Sequence, residues 1–81
     1  MKVKAKVNYK NAIAHYDIIK EKDGIYAAML EDYEGSVHNL PPAIITLTRG
    51  IRHWIGSMND EVLTNDLGEV IDIYLQSGII K

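Results

Sequence analysis

Residues 57–79 carry apolar side chains at three- and four-residue steps: Leu63, Leu67, Val70, Ile71, Tyr74 and Leu75. That spacing puts them on one stripe of an α-helix, and such a stripe must be buried against something. Asp60, Glu61, Asp66, Glu69 and Asp72 fall mostly outside the stripe, and the segment holds no Lys or Arg. The helix is expected over about 59–77. Ser57 or Asn59 reads as its N-cap, and Asp60 and Glu61 suit the first turn, where the helix dipole favours negative charge. Gly78 reads as the residue that ends it, with Ile79 folding back as the apolar partner of the cap. Gly68, inside the helix, signals close packing of helix on sheet rather than a ligand approach.

What the stripe packs on has a period of two. Lys2-Val3-Lys4-Ala5-Lys6-Val7 alternates strictly, so Val3, Ala5 and Val7 share one side of a strand and the lysines the other. Lysines on an edge strand also discourage further pairing. Asn8-Tyr9-Lys10-Asn11 supplies a turn, and Ala12 to Lys20 reads as a second strand packed by Ile13, Tyr16, Ile18 and Ile19. Lys22-Asp23-Gly24 is a hairpin signal. Ile25 to Glu31 returns as a third strand, giving an antiparallel β-meander, and Asp32 to Asn39 follows as loop.

Residues 43–56 admit two readings. Ile44, Leu47, Ile51, Trp54 and Ile55 match helical spacing, which would give a βββαα chain with a helix at 42–55. Against it, Ile44-Ile45-Thr46-Leu47-Thr48 is dense in β-branched residues, and Gly50 within a helix would cost about 1 kcal/mol relative to Ala. A second hairpin is favoured, with Arg49-Gly50 as a two-residue turn pairing Ile45 with Trp54 and Ile44 with Ile55. The expected fold is a single α+β domain over residues 1–81, a meander of three strands extended by that hairpin and packed by one C-terminal helix.

Composition removes several function classes. The chain of 81 residues contains no cysteine, so disulfides, thiolate metal sites and cysteine nucleophiles are excluded. His15, His38 and His53 have no metal-ligand spacing, and no metal or cofactor is expected. No Gly-rich phosphate loop or nucleophile elbow is present. Adjacent acids such as Glu31-Asp32 and Asp60-Glu61 read as solvated rather than catalytic, and an enzyme would need His15 or His53 to stand in a pocket beside a carboxylate. The N-terminal lysines are followed by no apolar run, and no segment has the length of a membrane span. Non-catalytic work in the cytoplasm, without a membrane, is the expectation.

Net charge is −2. Lys2, Lys4, Lys6 and Lys10 against the acidic helix predict a bipolar surface. Arg49, Arg52, His53 and Trp54, joined by Lys2, Lys4 and Lys6, form the one constellation that could contact phosphates and stack a base. The competing reading puts Trp54 in the core with its flanking arginines reaching solvent. The hairpin also has a consequence of its own. It places Ile45 and Leu47 on one side and Ile44, Ile51 and Ile55 on the other, and one helix cannot cover both sides of a sheet. The uncovered side would seek a partner, either a second copy or another protein.

The run Glu21 to Ala28 with Asp32-Tyr33-Glu34-Gly35 resembles the strand-turn-strand of HicB-type antitoxin domains. The chain lacks that family's Pro-Asp-Leu-Pro-Gly segment, its Gly-Asp-Thr strand and its appended DNA-binding domain, so the likeness implies shared hairpin grammar without membership. The expected function is a small protein-interaction or assembly module that self-associates as a homodimer. A nucleic-acid-binding domain using Arg49, Arg52 and Trp54 is the alternative.

Overall fold

The computed structural model describes residues 2–80. Strands β1 (Lys2–Tyr9), β2 (Ala12–Lys22), β3 (Ile25–Tyr33), β4 (Ile44–Arg49) and β5 (Trp54–Gly56) precede helix α1 (Glu61–Gln76). The strands form one five-stranded antiparallel sheet in chain order, with α1 on one face. This is an α+β fold.

Turn chemistry sets the register of the meander. Lys10 and Asn11 both hold positive φ, +48° and +66°, as a two-residue turn matched to strand twist requires. Gly24 takes φ +78° between β2 and β3, where a side chain would be strained. Strands β2 and β3 run a little longer than expected, to Lys22 and Tyr33.

Alternation then decides which side chains meet α1. Val3, Ala5 and Val7 lie buried beside Ala14, Tyr16 and Ile18, then Tyr26 and Ala28, then Ile45 and Leu47, then Trp54. Leu63, Leu67 and Ile71 of α1 close the core, with Val70, Tyr74 and Leu75 partly buried at its margin. Ile13 and Ile19 do not join it, contrary to expectation. They pair with Asn8 and Lys2 on the opposite side of the sheet, because their parity is that of the lysines.

Residues 44–56 form the hairpin and not a helix, but in a different register. Arg49 pairs with Trp54 and Thr48 with Ile55, so residues 50–53 make a four-residue loop in place of the Arg49-Gly50 turn. The Gly50 amide donates to His53 O at 3.0 Å. A Cβ on Gly50 would lie 2.4 Å from that same oxygen, so this loop needs glycine there. The shift is by an even number of residues, so each side chain keeps its expected face. Ile51 is the exception, standing fully exposed in the loop rather than on the ribbon.

Both helix ends differ in detail from expectation. Asp60 is the N-cap, and its carboxylate accepts from the Leu63 amide at 3.0 Å. Ser57 instead accepts from the Thr46 amide through Oγ at 2.9 Å, while its own amide donates to Thr46 O. At the other end, Gly78 at φ +75° donates to Leu75 O and Ile79 to Tyr74 O, the paired bonds of a Schellman motif. Ile80, not Ile79, folds back into the core.

Candidate interaction face

The face of the sheet away from α1 is built by the residues that alternation excludes from the core. Lys4, Asp17, Met29 and Ile44 form one row across it, and Lys2, Ile19, Ala27 and Thr46 form the next. Lys22, Ile25, Thr48 and Ile55 form a third row over β2 to β5. The face is therefore divided. Its β3–β5 half is apolar or hydroxylic, with Ile44 62% and Ile55 54% exposed. Its β1–β2 half, together with Glu31 and Asp32, is charged.

The charges on that half compensate one another. Lys4 Nζ lies 3.0 Å from Asp17 Oδ1 and also bonds Glu31, and Lys2 Nζ lies 3.7 Å from Asp17 Oδ2. The bonds to Glu31 and Asp17 raise the Lys4 pKa, and the Lys4 ammonium holds the Asp17 carboxyl below the usual carboxylate range. Two of the three lysines expected to make a basic stripe are thus answered within the sheet. His15 joins the same region, 2.6 Å from Glu34. A shallow cleft of about 330 Å³ runs over Lys4, Lys6, His15, Glu31 and Asp32 and is wide open to water. It does bring a histidine beside carboxylates, but both members of the His15–Glu34 pair are solvated.

The arginine–tryptophan constellation is only partly assembled. Trp54 is buried against Gly68 and Tyr26, and its Nε1 donates to Asp72 Oδ2 at 3.1 Å. Arg49 lies over the same indole, 5.9 Å from the ring centroid and 4.0 Å from Asp72 Oδ1. The indole is thus enclosed by the protein's own groups. Arg52 and His53 stand exposed in the β4–β5 loop. No cluster of three metal-ligating side chains occurs among the described residues, and no described helix is long and apolar enough to cross a membrane.

Sequence reasoning missed the carboxylates that answer the lysines. Asp17 sits at the parity of His15 and Ile19, so the signal was present once β2 was paired with β1, but only the register brings it opposite Lys4. Compared with known proteins, the chain matches no family model, no curated protein and no solved structure.

Proposed function

We propose that this chain is a non-catalytic assembly module that self-associates through the uncovered face of its sheet. The observation that carries the reading is the exposure of Ile44 and Ile55, which flank Thr46 in the first and third rows of the β3–β5 half. Fully burying one such side chain stabilises a complex by about 1.5–3 kcal/mol. The edges of the sheet offer a partner less. On β1 the Lys4 carbonyl already accepts from Tyr74 Oη at 2.7 Å, and β5, the other edge, is only three residues long.

A second copy would bring an equal apolar surface to this face. The molecule measures 35 × 22 × 17 Å, so its broad face has an area of the order of the ~800 Å² per partner in a standard interface. Apolar residues occupy about half of it, which places the association in the small, reversible class. The ion pairs beside the apolar half are closed within each copy, so they demand no charged partner.

Sedimentation equilibrium across a concentration series tests the reading. Wild type should shift from monomer to dimer mass as concentration rises. Ile44→Asp and Ile55→Asp should stay monomeric with unchanged circular dichroism, because neither side chain contributes to the core. A wild-type chain that is monomeric at every attainable concentration would sink the proposal.

A further inference from the structure

The outer edge of β5 carries backbone groups that self-association through the open face does not use. The Gly50 amide donates to His53 O and the Ser57 amide to Thr46 O. Residues 50 with 53, 48 with 55 and 46 with 57 are therefore the hydrogen-bonded pairs of this antiparallel ladder. The pairs between them, Arg49 with Trp54 and Leu47 with Gly56, are the non-bonded ones. Trp54 and Gly56 thus turn their amides and carbonyls away from β4, and none of these backbone groups is hydrogen-bonded elsewhere among the described residues.

A groove of about 410 Å³ lies between β5 and the first turns of α1. The helix is close there, since a Cβ on Gly56 would stand 2.2 Å from Thr64 Oγ1. Thr64 lines the groove at 5% exposure, and its hydroxyl has no hydrogen-bond partner among the described residues. Asp60 and Glu61 add two carboxylates, and no lysine or arginine lines it. The Leu63 and Thr64 amides are both taken by Asp60, so the start of the helix offers no anion site.

We propose that this groove binds a short extended peptide carrying lysine or arginine, added to β5 as a further antiparallel strand. Main-chain bonds to Trp54 and Gly56 hold it, and its side chains set the sequence. The two residues that bond Trp54 and Gly56 turn their side chains to the helix side, toward Asp60 and Glu61. The residue between them lies beside Ile55 on the open face, so the pattern recognised is basic, apolar, basic. Three residues of β5 are too few to seat a second sheet but enough for such a segment. The β1 edge suits this peptide less, because its side chains on the open face are lysines.

The probe is a fluorescein-labelled, amidated Lys-Val-Lys-Val-Lys peptide, with Glu-Val-Glu-Val-Glu as its acidic counterpart, read by fluorescence polarisation. The lysine peptide should bind saturably and the acidic one should not. N-methylation at the central lysine, whose amide faces β5, should weaken binding about 3- to 10-fold. N-methylation at either valine, whose amide faces solvent, should leave it unchanged. Glu61→Gln should weaken binding about two- to fivefold, and Ile44→Asp, outside the groove, should bind as wild type does. Hydrogen exchange should slow at the Trp54 and Gly56 amides on binding but not at the Ile55 amide, which already faces Thr48. Absence of saturable binding, equal loss from both methylations, or protection elsewhere than at Trp54 and Gly56 overturns the proposal.

Discussion

Gly68 is where α1 comes closest to the sheet. A Cβ there would lie 2.2 Å from Trp54 Cδ1 and 2.9 Å from Trp54 Cβ, so the indole and helix backbone share a space no side chain can enter. Gly68→Ala should therefore destabilise the chain by about 1–3 kcal/mol through overpacking, despite the better helix propensity of Ala. Urea unfolding would show it, and a neutral or stabilising result would mean the contact is looser than described. Tyr16 makes a different residue-scale claim. It is fully buried, donates to Pro42 O at 2.7 Å, and has its pKa pushed up to about 12 by burial. The folded chain then holds this proton more tightly than the unfolded chain. Its contribution is full below pH ~10 and is lost as pH climbs toward ~12, a difference on the order of 2–3 kcal/mol. An alkaline series of urea melts should show the decline, and Tyr16→Phe should flatten it. An equal slope in both proteins would assign the decline to other groups.

The limits of sequence reading show most clearly in the elements. The helix was legible because its stripe, its glycine stop and the close approach at Gly68 all agree. Its first residue was not, because Ser57, Asn59 and Asp60 are all competent caps within four positions. Which one caps is decided by tertiary contact, since Ser57 is held at the Thr46 backbone. Asp60→Ala should accordingly cost about 1 kcal/mol of stability by removing the cap. Ser57→Ala should leave the helix start intact and loosen the edge beyond β5, which hydrogen exchange at the Thr46 amide would report. Equal protection of that amide in both proteins would argue against the Ser57 bond. The β4–β5 hairpin was legible in kind and in facing but not in register. Periodicity fixes parity, whereas loop length depended on how Gly50 approaches His53 O. Within the hairpin, parity placed Ile44 and Ile55 on the candidate face and misplaced only the loop residue Ile51, whereas on β2 Ile13 and Ile19 were expected in the core and lie on the open face.

Across the whole molecule, charge and apolar surface are segregated in a way that local patterns only half reveal. The acids of α1 lie on one side, and Asp72 among them engages Arg49 and Trp54. Lys2 and Lys4 lie on the other side but are answered there by Asp17 and Glu31, so that side is less basic than its first ten residues suggest. Long-range attraction between the two sides of different copies therefore has little to act on, and contact should depend on the apolar β3–β5 half. Salt separates these possibilities. Between about 0.01 M and about 1 M, the Debye length falls from about 30 Å to about 3 Å, which extinguishes attraction between exposed charges while leaving hydrophobic association intact. Self-association should accordingly persist across that range, and sulfate, being excluded from protein surface, should strengthen it. The same titration by sedimentation would expose a charge-driven contact. If the dimer dissolved as salt rose, the acidic helix and the lysine row would be the joining surfaces, and substitution at Glu69 rather than Ile44 would break it.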